Sequence, residues 1–305
     1  MKQENIGFIG LGAMGLPMAK NLIKKGYENL TVYDRVQQRA ESLAGAGARV
    51  AGSCREVAES SDITIIMVPS SPHVREVVLG KAGVIEGIRE GAIVIDMSTI
   101  DPGTTRAVAE ALSRAGAKML DAPVARGVSA AVAGTLAIFV GGEKAVFERC
   151  EEILAAMGAD IDYVGGSGAG EVVKIINNLI IAVTMCTLSE ALVLGVKAGV
   201  EPATLFKALG QGSANSFVLQ NHVKKFVLKG KFEKEVFPVD YIMKDLGLAL
   251  KTGEEYHIPQ YFGALAYQAY EMARASGYSE QYYPVVVKVL EELAGVEVRA
   301  DLEDA

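Results

Sequence analysis

The fold is decided near the start of the chain by the stretch Ile6-Gly7-Phe8-Ile9-Gly10-Leu11-Gly12-Ala13-Met14-Gly15. Its first four residues form a short apolar run, which predicts a buried strand, and the glycines that follow match the pattern G-x-G-x-x-G. Apolar residues then recur at helical spacing through residues 14–25, which predicts a helix. A strand, a glycine-rich turn and a helix in this order are typical of a dinucleotide-binding unit.

Each glycine of the pattern has a separate physical task. Gly10 permits the tight turn, Gly12 lets the backbone approach a pyrophosphate, and Gly15 lets the helix pack closely on the strand. The start of the helix favours an anion. The sequence therefore predicts a cofactor-binding loop formed by Gly10, Leu11, Gly12, Ala13, Met14 and Gly15.

The second predicted strand, residues 30–33, is followed by Asp34 and Arg35. A carboxylate at this place accepts hydrogen bonds from the ribose hydroxyls of NAD and repels the 2′-phosphate of NADP, whereas an arginine can hold that phosphate. Both residues are predicted to contact the cofactor. The acid favours NAD, and Arg35 leaves NADP open.

Apolar strands continue to alternate with helical patterns through the first half of the chain. Because these strands are apolar throughout, they predict a parallel sheet that is covered on both faces. The fold class is therefore α/β, a Rossmann-type doubly wound sheet. Its further predicted strands are 63–68, 92–96, 119–121 and 136–140.

The pattern changes at a glycine-rich segment, residues 165–170, which we interpret as a flexible joint. Only helical patterns follow it. We therefore predict a dinucleotide-binding domain over residues 1–165 and an all-helical domain for substrate binding and oligomerisation over residues 166–305. The predicted helices of the second domain are 171–198, 202–210, 216–229, 239–255, 260–276 and 283–294.

Composition narrows the class of protein. The 305 residues carry a net charge of −7, which argues against nucleic-acid binding. The three cysteines are widely spaced and odd in number, which favours a reducing compartment over a disulfide framework. The uncharged run between Lys174 and Glu190 is 15 residues long, too short to span a bilayer. We predict a cytoplasmic protein without membrane or nucleic-acid partners, and no metal, because no histidine has clustered acids or cysteines near it.

One helix carries an unusual polar group. Lys174, Asn177 and Asn178 lie at i, i+3 and i+4, so they share a face of an otherwise apolar segment. Since unpaired buried polar groups are costly, a polar site is the simplest explanation. A lysine that reaches out to solvent is the alternative. Ser98 and Thr99 follow the strand that ends at residue 96, where open α/β sheets bind ligands, although both residues also suit a helix cap.

With these motifs together, the sequence resembles the β-hydroxyacid dehydrogenases, which include 3-hydroxyisobutyrate dehydrogenase, tartronate semialdehyde reductase and sulfolactaldehyde reductase. The resemblance extends over essentially the whole chain. It rests on residues 7–19, 96–99, 121–124, 134–136, 141–142, 168–178 and 244–249.

The resemblance implies roles for individual residues. It makes Lys174 the catalytic acid/base and Asn178 its substrate-orienting partner. It also implies substrate contacts for Ser98, Arg126, Gly127 and Asn177, and cofactor contacts for Val68, Pro69, His73, Thr99 and Lys244.

The sequence departs from the family in one loop. Most relatives read Ser-Gly-Gly after Asp-Ala-Pro-Val, whereas this chain reads Ala125-Arg126-Gly127. An arginine suits a carboxylate, phosphate or sulfonate, and the change is similar to that of sulfolactaldehyde reductase. We expect Arg126 to anchor the acidic end of a sulfonated or dicarboxylic substrate. The alternative is that its side chain turns to solvent.

The expected function is hydride transfer between NAD(P) and a small 3-hydroxy acid or its semialdehyde. Two alternatives stay open, a non-catalytic NAD(P)-binding module and an imine reductase on the same scaffold. The imine reductases generally replace the lysine, and a non-catalytic module would tolerate its loss. The long apolar helices of the second domain also predict a homodimer or homotetramer.

Overall fold

A computed structural model describes residues 4–234 and 237–302 of the chain. Those residues divide into two compact units, the first ending at Lys174 and the second beginning at Ile175. Each unit is described by itself below.

The first unit is built on one mixed sheet, which contains nine strands within the described residues. The strands are β1 (Ile6–Ile9), β2 (Leu30–Tyr33), β3 (Arg49–Val50), β4 (Ile63–Ile66), β5 (Ile93–Asp96), β6 (Lys118–Asp121), β7 (Val124–Ala125), β8 (Leu136–Gly142) and β9 (Gly158–Gly165). The helices that connect them are α1 (Gly15–Lys24), α2 (Gln37–Ala44), α3 (Cys54–Glu59), α4 (Ser71–Leu79), α5 (Val84–Gly87), α6 (Pro102–Arg114), α7 (Gly127–Ala133) and α8 (Lys144–Leu154).

The strand order confirms the predicted doubly wound fold. Strands β1 to β6 are parallel and lie in the order β3-β2-β1-β4-β5-β6, the arrangement of a Rossmann sheet. Alternate residues of each strand face opposite cores. In β5, Ile93 and Ile95 pack in one apolar cluster and Val94 in another, so both faces of the sheet are covered.

The far edge of the sheet differs from the prediction. Strand β8 runs antiparallel to both β6 and β7, and β9 pairs in parallel with β8. Strands β3, β7 and β9 are not among the predicted strands. Two of these strands have only two residues, and β9 has exposed acids between its apolar residues, because it lies at an edge of the sheet rather than inside it.

The glycine-rich segment predicted to be a flexible joint packs closely at Gly168 and Gly170. A Cβ on Gly170 would overlap the carbonyl oxygen of Phe139, and a Cβ on Gly168 would lie 3.1 Å from the guanidinium of Arg106. Gly168 also has a φ of +86°, which favours glycine. These glycines allow the chain to pass close to β6 and β8 as it enters the helix.

The second unit is helical, as predicted. It is formed by α9 (Ala169–Lys197, which begins in the first unit), α10 (Pro202–Gln211), a π-helix (Val218–Val227), α11 (Val239–Glu255), α12 (Tyr261–Ala275), a 3₁₀ turn (Tyr283–Val285) and α13 (Val286–Ala294). The predicted helix 216–229 is thus a π-helix. The predicted helix 283–294 begins as a 3₁₀ turn that contains Pro284, which has no backbone N–H to donate.

Helix α9 is long and apolar enough, by length and composition alone, to cross a bilayer. Core helices of globular proteins meet the same criterion, and this helix carries a buried Glu171, Lys174 and Asn178. Buried ionisable and amide groups of this kind mark a functional or core helix more readily than a lipid-facing one.

Candidate active site

The carboxyl ends of five strands line up at one edge of the first unit. Tyr33 pairs with Ile9, Ile9 with Ile66, Ile66 with Asp96 and Asp96 with Asp121, so β2, β1, β4, β5 and β6 end in register. Open α/β sheets bind their ligands at this edge. The predicted residues of the first unit that follow directly from these strand ends are Gly10, Leu11, Gly12, Ala13, Met14, Gly15, Asp34, Arg35, Val68, Pro69, Ser98 and Thr99.

The glycine loop has the shape that a dinucleotide requires. A Cβ on Gly10 would overlap the carbonyl oxygen of Met67, and one on Gly15 would overlap the carbonyl oxygen of Gly10. Gly10 also has a φ of +93°. By contrast, a Cβ on Gly12 would meet nothing within 4 Å. The loop is therefore tightly packed against the sheet and open at Gly12, where the backbone of this motif approaches a pyrophosphate.

The Asp34 carboxylate is held against the glycine loop. Its oxygens accept hydrogen bonds from the backbone N–H groups of Leu11 and Val36, both at 2.7 Å, and Arg39 lies 3.7 Å away. A carboxylate has about four acceptor positions, so acceptor capacity is left for ribose hydroxyls. Arg35 is exposed beside it.

Ser98 joins the ends of two neighbouring strands. Its hydroxyl accepts a hydrogen bond from the backbone N–H of Val68 at 3.0 Å, and its own N–H donates to Asp96 at 3.0 Å. The helix that follows is capped by neither Ser98 nor Thr99. Asp101 caps α6 by accepting from the N–H of Thr104 at 2.9 Å, so the cap alternative weighed for Ser98 and Thr99 is wrong.

His73 lies in the first turn of α4. Its Nδ1 is 2.7 Å from the hydroxyl of Ser70, the residue just before the helix. A second contact joins the same turn to the β5 edge, because the Ser71 hydroxyl accepts from the N–H of Asp101 at 3.0 Å. His73 is therefore held in place at the start of α4 by local hydrogen bonding.

Two buried acids surround the start of α9, and the sequence analysis assigned a role to neither. Asp121 accepts from the N–H of Gly168 at 2.7 Å and of Glu171 at 3.1 Å, and Glu171 accepts from the N–H of Ile100 at 3.1 Å. Burial raises the pKa of Asp121, and these N–H groups oppose the rise. The available signal was an acid at the end of an apolar strand.

Lys174 lies one turn after Glu171 on the same face of α9 and is only 8% exposed. The alternative, in which its side chain reaches out to solvent, is therefore wrong. A buried lysine amine can serve as a proton donor or acceptor.

The second unit contains a polar network around Asp245, a residue that the sequence analysis missed. The amide of Asn178 donates to Asp245 at 2.5 Å, and the amide of Asn177 donates to the side-chain oxygen of Asn178 at 2.9 Å. Lys244 forms an ion pair with Asp245 at 3.1 Å. The structure thus brings together Asn177, Asn178 and Lys244 through one buried carboxylate. Asp245 could have been found from the sequence, because it is a second charged residue directly after Lys244 in a helix with a buried apolar face.

Arg126 adopts a left-handed backbone with a φ of +85°, and Gly127 follows with +73°. The guanidinium lies 2.5 Å from the Asp160 carboxylate and donates to the carbonyl oxygen of Thr135 at 3.2 Å. Its side chain is 44% exposed. The Arg126 guanidinium is thus half-exposed to solvent and ion-paired with Asp160.

Within the described ranges 4–234 and 237–302, there is no group of three or more His, Cys, Asp and Glu side chains arranged to hold a metal ion.

Burial raises the pKa of the Cys54 thiol to about 11, so this cysteine stays protonated at neutral pH.

Comparison with known proteins identifies both parts of the chain. Residues 5–165 match the family described as the NAD binding domain of 6-phosphogluconate dehydrogenase. Residues 168–290 match the family described as NAD-binding of NADP-dependent 3-hydroxyisobutyrate dehydrogenase.

Curated relatives are similar over nearly the full chain. The 2-(hydroxymethyl)glutarate dehydrogenase of Eubacterium barkeri is 40% identical, over 97% of this chain and 98% of its own. The mitochondrial 3-hydroxyisobutyrate dehydrogenase of Mus musculus is 38% identical, over 94% of this chain and 87% of its own. A solved structure of the Mycobacterium tuberculosis 3-hydroxyisobutyrate dehydrogenase with L-serine has a TM-score of 0.87 at 29% identity, and covers 95% of this chain and 99% of its own.

Proposed function

The chain belongs to the β-hydroxyacid dehydrogenase family, and we propose that its substrate is a small 3-hydroxy acid with a second acidic group, or the matching semialdehyde. Membership makes the protein an NAD(P)-dependent oxidoreductase of small hydroxy acids. The proposal adds the substrate class and the residues that act on it.

Lys174 is the proposed acid/base. NAD(P)⁺, when bound, would supply the hydride acceptor for the carbinol carbon. The neutral amine of Lys174 takes the hydroxyl proton as the alcohol is oxidised to a carbonyl. In the reverse direction the protonated amine returns the proton to the carbonyl oxygen. The burial of Lys174 and its shared helix face with Asn178 support this role.

The remaining site residues bind and orient. Asn178, held by Asp245, presents a fixed amide toward the substrate, with Asn177 beside it. Ser98 and Gly127 contribute substrate contacts at the sheet edge. The glycine loop, Val68, Pro69, His73 and Thr99 are the proposed cofactor-binding residues, and the family resemblance adds Lys244 to them. Asp34 favours NAD, because its carboxylate would repel the 2′-phosphate of NADP.

The acidic substrate class rests on Arg126. A half-exposed guanidinium stands in the loop where relatives have Ser-Gly-Gly, and it is suited to a carboxylate or sulfonate. The Eubacterium barkeri relative is named for 2-(hydroxymethyl)glutarate, which is a hydroxy acid with two carboxylates.

Neither alternative function is favoured by an observation. A non-catalytic module is set aside, because curated relatives that match nearly the whole chain are dehydrogenases. The imine reductases among the structural neighbours are 20% identical, so the likeness shows the fold alone. The retained Lys174 argues against their chemistry.

A substrate panel tests the proposal. Formation of reduced nicotinamide from NAD⁺ or NADP⁺ is followed by absorbance on 3-hydroxyisobutyrate and 2-(hydroxymethyl)glutarate. Consumption of NADH or NADPH is followed in the reductive direction on sulfolactaldehyde. We expect NAD⁺ turnover and a lower KM for a substrate with two acidic groups than for 3-hydroxyisobutyrate. Tight cofactor binding without turnover on any member would contradict the proposal.

We also infer a homodimer or homotetramer assembled through the helical unit, in the cytoplasm. Supporting this, α12 exposes Tyr261, Phe262 and Leu265, each more than two thirds accessible. Large apolar side chains grouped in this way are typical of a contact between subunits.

A further inference from the structure

The Arg126 guanidinium is held by a residue from the far edge of the sheet. Ala125, Ala137 and Asp160 lie in one row across β7, β8 and β9, since Ala125 pairs with Ala137 and Ala137 with Asp160. Arg126 comes directly after this row and reaches back across it. Its 2.5 Å contact with Asp160 therefore joins the loop before α7 to the edge strand.

An irregularity in β9 stands directly beside this contact. Leu136 pairs with Gly158, but the next residue, Ala137, pairs with Asp160, so Ala159 is left out of the register. A bulge of this kind redirects the side chain beside it. Asp160 thus reaches Arg126 at the point where the strand departs from regular pairing.

The ion pair can be exchanged at small cost. The side chains of Arg126 and Asp160 are 44% and 57% exposed, and exposed pairs contribute little to stability because water competes for both charges. A carboxylate or sulfonate from a substrate can therefore replace Asp160 on the guanidinium. The Thr135 carbonyl oxygen also accepts from the same nitrogen, which restricts the movement of the arginine.

We propose that Asp160 is a specificity-determining residue, an internal counter-ion that competes with the second acidic group of the substrate for Arg126. This inference rests on the proposed substrate class. While Asp160 is paired with Arg126, the arginine's charge is neutralised and an acid with one carboxylate meets no additional attraction. An acid with two carboxylates must displace Asp160 from Arg126, so the competition weakens the binding of that acid.

The test compares two acids that differ only in the second carboxylate arm, 3-hydroxyisobutyrate and 2-(hydroxymethyl)glutarate. In Asp160→Asn, we expect the KM for the diacid to fall about two- to fivefold, the range that exposed ion pairs support, and the KM ratio of the two acids to change by the same factor. Asp162→Asn is the matched control. Asp162 lies two residues after Asp160 in β9 and on the same face of the strand. Its replacement by Asn therefore removes an equal charge without removing a contact to Arg126.

A double variant makes the test specific. In an Arg126→Ala background, Asp160→Asn should leave the diacid KM unchanged, because there is no guanidinium to release. The inference is overturned if the diacid KM rises or stays the same in Asp160→Asn, if Asp162→Asn gives the same fall, or if the effect persists without Arg126. Wild-type turnover of the two acids reports on the proposed function separately, so either idea can fail alone.

Discussion

At the residue scale, one carboxylate orients two predicted functional side chains of the second unit. Asp245 is 1% exposed, accepts from the Asn178 amide, and pairs with Lys244. With Asn177 donating to the other end of the same amide, the orientation of Asn178 is fixed at both ends. A group that must orient a substrate gains from such preorganisation.

Replacing Asp245 should therefore damage catalysis more than folding. In Asp245→Asn the side chain keeps its size but loses its charge and one acceptor oxygen, so Lys244 loses its ion pair and the network can no longer hold both Lys244 and Asn178 as before. We expect kcat to fall about tenfold to a hundredfold, as small displacements of positioning groups do. Asp240→Asn is the control, because Asp240 lies on the same helix in an exposed pair with Arg274. Equal kcat in wild type and Asp245→Asn would contradict this role.

Prediction from sequence succeeds for local contacts and misses distant ones. The glycine loop is predictable, because turn, helix start and anion binding are all encoded within a few residues. The contacts of Asp245 and Asp160 are not predictable in this way. Asp245 binds Asn178, which lies 67 residues away along the chain, and Asp160 binds Arg126, which lies 34 residues away. Only the fold brings such pairs together.

At the element scale, the segment after α13 is fastened to the second unit by a buried acid. Arg299 makes two hydrogen bonds to Glu291, at 2.6 and 2.9 Å, and the N–H of Val298 donates to the same carboxylate at 2.8 Å. Glu291 is only 5% exposed. A buried carboxylate without its cation is costly.

Arg299→Ala should accordingly destabilise the protein by about 3 kcal/mol, the lower end of the range for breaking a buried pair, since the arginine is partly exposed. Urea unfolding measures the change. Arg274→Ala is the control, with exposed partners Asp240 and Glu271, and should change the free energy of unfolding by less than about 1 kcal/mol. Similar losses in the two variants would refute the argument.

The π-helix carries a histidine that titrates abnormally. His222 lies 2.6 Å from the Tyr282 hydroxyl, and burial, helped by Lys225, lowers its pKa from 6.5 to about 4. The native state therefore favours the neutral ring. The contribution of the neutral His222 ring to stability is complete above the unfolded pKa of 6.5 and is lost as pH falls towards about 4.

Melting temperatures measured between about pH 7 and about pH 4.5 test this linkage. We expect the wild type to lose stability over this window, and His222→Asn, which cannot take up that proton, to lose less. Parallel curves for the two proteins would show that His222 does not carry the effect.

Elements that the sequence predicts are those that follow one hydrophobic period throughout. The central strands and the long helices do so, and their predicted bounds agree closely with the structure. Strand β9 alternates acidic and apolar residues only over positions 160–163, a short signal that is available in the sequence. The π-helix has the same apolar pattern as an α-helix, so the local sequence alone does not distinguish the two.

At the scale of the whole molecule, the exposed apolar face of α12 predicts self-association. Tyr261 and Leu265 are one helical turn apart, with Phe262 beside them. We expect light scattering to show a dimer or tetramer at micromolar concentration, and Leu265→Glu to shift it towards the monomer with unchanged helical content. A monomeric wild type would refute the predicted assembly.

The central claim is that this chain moves a hydride between a 3-hydroxy acid and nicotinamide while Lys174 handles the proton. Deuterium transfer tests it most directly, with the acid labelled at its carbinol carbon, NAD⁺ as acceptor, and the product followed by NMR. We predict deuterium at C4 of the reduced nicotinamide, and a rate at least about a hundredfold lower in Lys174→Ala, the lower range for a lost acid/base. Label released to water, or an undiminished rate without Lys174, would contradict the account.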